Sequence, residues 1–99
     1  MARTGIHPRG TTAGRIITGI GSVFALIEVL HILLVVLEAN AANGFATFVR
    51  SLAEPLALFF PGLFPIDEPR LAVLVNYGLA AVFWLVVTGL LARVLGRTR

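Results

Sequence analysis

Two ionisable side chains lie within the first of two long apolar stretches. Glu28 and His31 are three positions apart, so a helix places them on one face, within hydrogen-bonding reach of each other. Hydrocarbon penalises a charged acid unless it finds a partner, water or a proton, so an acid in a membrane span is a functional candidate. Two interpretations stay open. The pair either responds to protons or attracts ions while it faces a partner helix or a pore, or it is a polar clamp that fixes helix pairing.

The residues around this pair form a stripe with a seven-residue repeat. One series contains Glu28 and a second, offset by three positions, contains His31. Together they define one helix face that carries every ionisable group of the span. Gly14 and Gly21 lie on this face and are predicted helix-packing positions, because a glycine lets another backbone approach closely. The two series are Gly14, Gly21, Glu28, Val35 and Ile17, Phe24, His31, Glu38.

The second apolar stretch carries a candidate packing face of its own. Tyr77, Ala81, Trp84 and Thr88 share one side of a helix, and Asn76 is adjacent to Tyr77. Asn76, Tyr77, Ala81 and Thr88 are therefore predicted to pack against the first helix. Glu28 lies near the middle of its span, whereas Asn76 lies about two turns from the outer surface, so this depth argues against close contact of Asn76 or Tyr77 with the polar pair.

Both stretches are long enough to cross a bilayer. They cover residues 16–37 and 71–92, and 22 helical residues extend roughly 33 Å, against a hydrocarbon core of about 30 Å. With 58% hydrophobic and 13% charged residues, a chain of 99 residues cannot hide both stretches in a water-soluble fold. The expected architecture is an all-α membrane protein, with transmembrane helices at 15–39 and 71–93 that form a hairpin.

The connection, residues 40–70, is predicted to carry an amphipathic helix at about 44–60 on the outer membrane surface. Its apolar residues follow a 3–4 spacing, while Arg50 and Glu54 form an i,i+4 pair on the other side, and Pro55 is expected to interrupt it. Asp67 and Glu68 precede the second span: Asp67 is expected to cap it, and Glu68 suits the positive end of its dipole.

The distribution of arginines predicts the orientation. Residues 1–14 are interpreted as a flexible cytoplasmic tail and 94–99 as a second, basic one, with Arg15, Arg93 and Arg97 as topology anchors. The connection is net acidic, so the positive-inside rule places both termini in the cytoplasm. The composition, rich in Arg, Ala, Val and Leu, suggests a high-GC bacterium and hence a bacterial plasma membrane. An alternative is signal-peptide cleavage after residues 39–41, although a signal sequence has a shorter apolar region.

Other functional classes find little support in the sequence. The arginines lie at hydrophobic boundaries without interleaved aromatics, which indicates lipid contact and not nucleic-acid binding. The chain has no cysteine, and His31 lacks a second ligand at a suitable spacing, so neither a metal nor any other cofactor is predicted. Since no nucleophile motif or phosphate-binding glycine loop occurs, the chain is not expected to be an enzyme.

About a third of the chain, residues 43–74, contains four short segments in a characteristic order: Asn43-Gly44-Phe45, Phe48-Val49, Leu52-Ala53-Glu54-Pro55-Leu56 and Leu63-Phe64-Pro65-Ile66-Asp67. With these segments the stretch resembles the YggT family of small bacterial and plastid membrane proteins. The chain lacks two family features, the Pro-x-Arg after the Glu-Pro-Leu element and the Ser-Trp that ends the first span. The resemblance implies a two-span module in membrane biogenesis, osmotic or ion homeostasis, or envelope assembly, with no catalytic residues.

These observations predict a non-enzymatic membrane protein that works by helix–helix association, as a homo-oligomer or an accessory subunit of a membrane complex. The alternative is a homo-oligomeric ion or proton channel, in which Glu28 would face the pore and Asp67 and Glu68 would form its outer mouth. The acid-Pro segment 67–69 followed by Tyr77 and Gly78 is also similar to the entrance of calcium uniporter pores.

Overall fold

A computed structural model describes residues 9–40 and 42–98 of the chain, with side chains from 12 to 40 and from 42 to 96. Within these residues the chain forms three α-helices: α1 (Arg9–Val36), α2 (Gly44–Leu56) and α3 (Pro69–Thr98). The predicted all-α architecture is confirmed. Most of the predicted tail 1–14, residue 41 of the candidate cleavage site, residue 99 and the Arg97 side chain lie outside this description.

The first helix begins earlier and ends earlier than the sequence predicted. No proline occurs between Pro8 and Pro55, so the helix extends back to Arg9 instead of starting at residue 15. It ends because Glu38 adopts the left-handed conformation, with φ 59°. The Glu38 N–H donates to the Val35 carbonyl (3.0 Å), and the Ala39 N–H donates to the Leu34 carbonyl (2.8 Å). This pattern is a Schellman motif with a glutamate where glycine is usual.

The second helix is held at its start by a side-chain cap. The Asn43 Oδ1 accepts hydrogen bonds from the Phe45 and Ala46 amides at 2.9 and 3.2 Å. The helix continues through Pro55 and ends one residue later, four residues before the predicted boundary at 60. Val49 and Ala53 are its buried residues, and it packs against α1.

The third helix begins at Pro69, which is tolerated in a first turn because its missing amide hydrogen would have no partner there. The expectation that Asp67 caps this helix is wrong. The carboxylate of Glu68 accepts the hydrogen bond from the Leu71 amide, at 2.8 Å. The helix then runs to Thr98, beyond the predicted end at 93.

Helices α1 and α3 pack along most of their lengths, and their contacts run in opposite chain directions. As residue numbers rise along α1, those of the contacting residues fall along α3, which gives an antiparallel pair. At the far end of α2, the Trp84 Nε1–H donates to the Leu56 carbonyl at 2.8 Å and ties α2 to α3. The α1–α3 contacts include Gly14 with Ala92, Gly21 with Thr88, Phe24 with Trp84 and His31 with Tyr77.

The interior and the surface are inverted relative to a water-soluble protein. Buried positions hold mainly alanine together with four polar residues, whereas large aliphatic and aromatic side chains cover the surface. Two segments, Thr12–Val36 in α1 and Pro69–Gly96 in α3, are long and apolar enough to cross a membrane. The buried polar residues are Glu28, His31, Asn76 and Thr88.

Candidate functional site

The polar pair of α1 faces α3 within the same chain. Glu28 is fully buried and His31 is 6% exposed. Phe24 contacts Trp84 and His31 contacts Tyr77, so Glu28, which lies between them on α1, faces the part of α3 between residues 77 and 84. That part contains small buried residues, which let the two backbones come close enough to enclose the acid. The small residues of this region are Ala25, Ala80 and Ala81.

Neither carboxylate oxygen of Glu28 has a hydrogen-bond partner, so the structure does not contain the Glu28–His31 hydrogen bond that their spacing permits. Asn76 is 7% exposed, and its amide oxygen is also buried without a hydrogen-bond partner. A buried acid without a partner is costly as an anion. The interface encloses Glu28 among small apolar residues and offers its carboxyl group no hydrogen-bond partner.

His31 occupies a different environment from Glu28. Its ring lies edge-on to that of Tyr77, with centroids 4.5 Å apart and an interplanar angle of 60°. The expectation that depth keeps Tyr77 away from the polar pair is wrong for His31, because the antiparallel alignment brings the two rings to one level. On its other side His31 lines a cleft of about 80 Å³ between α1 and α2, together with Thr47 and Arg50.

Among the described glycines, Gly21 has the least space for a side chain, because it packs against Thr88. A Cβ atom built on Gly21 would lie 2.8 Å from both Cβ and Cγ2 of Thr88, and closer still to its hydroxyl. That hydroxyl donates to the Trp84 carbonyl at 2.6 Å, so it is satisfied within its own helix. Gly14 is less tight, since its Cβ would lie 3.4 Å from Ala92. Gly19, which is off the stripe, faces open space.

Charged groups cluster at the end of the molecule that holds the connection. Arg70 pairs with Glu38 at 2.7 Å, which links the end of α1 to the start of α3. The described residues contain no ion pair between Arg50 and Glu54, so the pairing predicted within α2 does not form. The two predicted outer-mouth acids differ in their contacts. Glu68 caps α3, and Asp67 is exposed.

At the opposite end, a groove of about 430 Å³ runs between α1 and α3. Sequence reasoning missed it, although the predicted anchors Arg15 and Arg93 both lie on it. The sequence feature that indicates this groove is the seven-residue spacing of Gly89 and Gly96, which places both glycines on one face of α3. The groove is lined by Gly14, Arg15, Thr18, Gly89, Ala92, Arg93 and Gly96.

The site carries no feature of a metal centre within residues 9–40 and 42–98, where no three His, Asp or Glu side chains are grouped to hold an ion. No protein-family model matches the chain, and no curated protein or solved structure matches it either.

Proposed function

We propose that this chain is a small integral membrane protein that crosses a bacterial plasma membrane twice as a helical hairpin and works by helix–helix association. It acts as a homo-oligomer or as an accessory subunit of a membrane complex, as a YggT-like module without catalytic activity. One observation carries this proposal. Large apolar side chains cover α1 and α3 on the outside, while four polar residues, Glu28, His31, Asn76 and Thr88, are buried.

The exposed apolar surface supports the membrane part of the proposal. Leu26 is 57% exposed and Leu85 is 49% exposed, and similar residues follow both helices from end to end. Such a surface is unfavourable in water over so large an area, whereas lipid chains solvate it without cost. Phe45 and Phe48 extend it onto one flank of α2, as expected for a helix that lies in the interface.

The position of Glu28 favours association over the channel alternative. A pore formed between several copies would need this carboxylate on an outer face, but it is fully buried against α3 of its own chain. To line a pore, α1 and α3 would have to separate. Association, in contrast, uses the apolar surface that the packed helices already present.

Cysteine labelling tests the insertion, because the chain has no cysteine of its own. Ser51→Cys and Leu26→Cys both place a thiol at an exposed position, one on α2 and one on α1. In sealed vesicles that present the outer surface, a membrane-impermeant maleimide should label position 51 but not position 26, since lipid shields only the latter. Both thiols should react after dissolution in SDS.

Thr98→Cys tests the orientation and should react only when the vesicles are opened. Fast labelling of position 26 in intact vesicles would refute insertion, and labelling of position 98 from outside would refute the hairpin. The mass of the purified protein in mild detergent then separates a homo-oligomer from a hetero-complex. A proton conductance in liposomes that Glu28→Gln abolishes would favour the channel instead.

A further inference from the structure

We propose that the groove between the ends of α1 and α3 binds one anionic phospholipid of the cytoplasmic leaflet. This inference depends on the proposed membrane hairpin and names a ligand for it. The groove is open to the surface, has a volume of about 430 Å³, and carries one arginine on each side. Arg15 belongs to α1 and Arg93 to α3.

The two arginines lie at nearly the same depth. Gly14 contacts Ala92 across the interface, and each arginine directly follows one of these contacting residues. Both are exposed, and both lie within one helical turn of the ends of the segments Thr12–Val36 and Pro69–Gly96. In a bilayer this depth is that of the lipid headgroups. A phosphate between the two helices would then meet a planar guanidinium from each side.

No acidic side chain of the two helices lies near these two charges. The sequence contains no Asp or Glu in 9–27 or in 69–98. The ion pair formed among the described residues joins Arg70 to Glu38, at the opposite end of the molecule. The groove is therefore a cationic site without an acidic side chain to neutralise it, and the cytoplasmic leaflet supplies anionic headgroups.

The shape of the groove favours a lipid over soluble phosphate. Its floor is closed at Gly14, where an added Cβ would lie 3.4 Å from Ala92. A Cβ added at Gly89 or Gly96 would meet no neighbouring atom within 4 Å outside its own stretch of helix, so the wall is recessed there. The Thr18 hydroxyl donates to helix carbonyls at 3.1 Å and is not available as a donor to a phosphate. A wall of glycine, alanine and methyl groups suits acyl chain and glycerol carbons, with the charge held at the rim.

Native mass spectrometry of the full-length protein from mild detergent tests the charge requirement, with equal amounts of phosphatidylglycerol and phosphatidylcholine. The wild type should retain mainly phosphatidylglycerol. Arg15→Gln or Arg93→Gln should each weaken its binding about five-fold, and the double variant about 25-fold. Arg50→Gln, which removes an exposed arginine far from the groove, is the matched control and should bind as the wild type does.

A second pair of variants tests the shape requirement without altering charge. Gly89→Leu fills the groove, whereas Gly19→Leu adds the same side chain to an open helix surface outside it. The first should lose phosphatidylglycerol and the second should keep it. Equal retention of both lipids, equal effects of the paired variants, or displacement of the lipid by equimolar glycerol phosphate would overturn the proposal.

The labelling pattern of positions 26 and 51 separates this inference from the proposed function. A protein that is shielded at 26 but shows no preference for phosphatidylglycerol is a membrane hairpin without this lipid site. Labelling of position 26 in intact vesicles would refute both the membrane hairpin and the lipid site.

Discussion

The contact between Gly21 and Thr88 makes the antiparallel packing of α1 and α3 testable with one methyl group. In Gly21→Ala, the new Cβ would lie 2.8 Å from two carbons of Thr88, closer than a Cβ atom normally comes to a non-bonded atom. Thr88 cannot easily adopt another rotamer, because it is β-branched and its hydroxyl donates a hydrogen bond to the Trp84 carbonyl at 2.6 Å. The helices must therefore move apart.

Gly19→Ala is the matched control, since no atom lies within 4 Å of its Cβ. Alanine is favoured over glycine within a helix by about 0.5–1 kcal/mol, and this gain applies to both variants and cancels in their difference. Overpacking a tight contact costs about 1–3 kcal/mol, so Gly21→Ala should be less stable than Gly19→Ala by that amount. Adding Thr88→Gly to Gly21→Ala moves the small residue across the interface and should restore most of the loss.

Trp84 is the only tryptophan and reports on this interface directly. Its ring packs edge-on against Phe24 of α1, with centroids 4.8 Å apart, so its emission should change when α1 and α3 separate. Titration of SDS into protein held in mild detergent micelles would give the free energy of unfolding for each variant. If Gly21→Ala were as stable as Gly19→Ala, or if Thr88→Gly failed to restore stability, the packing of these two helices would be wrong.

Two further predictions concern the ends of the helices. Trp84→Phe removes the donor to the Leu56 carbonyl and should cost about 0.5–1.5 kcal/mol; amide hydrogen exchange should speed up at the end of α2 but not in the middle of α1. Glu38→Gly removes the strain of a left-handed conformation, which costs roughly 1–2 kcal/mol, and loses an exposed ion pair with Arg70 that stabilises by about 0–1 kcal/mol. This variant should therefore raise thermal stability. Glu38→Gln loses only the ion pair and should not. A lower midpoint for Glu38→Gly than for Glu38→Gln would contradict this.

Much of the helical architecture follows from the sequence by simple physical rules. Two apolar stretches without interior proline must be helical if they are to satisfy their backbone groups away from water. The Asn43 side chain starts α2, and the 3–4 spacing of its apolar residues indicates the side that carries Val49. The seven-residue stripe likewise indicates the face of α1 that holds Glu28, which the structure turns toward α3.

The alignment between the helices could not be read from the sequence. Two apolar helices offer many sliding positions of similar hydrophobicity, and steric fit between small residues selects among them. Here Gly21 fits against Thr88 in the same alignment that brings His31 beside Tyr77. The groove with Arg15 was missed for the same reason, because it exists only at this alignment.

The enclosure of Glu28 also constrains how the packed helices α1 and α3 could contact other chains. Polar side chains commonly hold membrane helices together, but on this molecule they are used within the chain, between α1 and α3. The outer faces offer residues such as Leu26, Val82 and Leu85, which bind a neighbouring helix only by shape and dispersion. Each such contact would contribute little free energy of association and would depend on a close steric fit. Substituting an outer leucine by alanine should therefore weaken assembly while leaving the fold of the single chain intact.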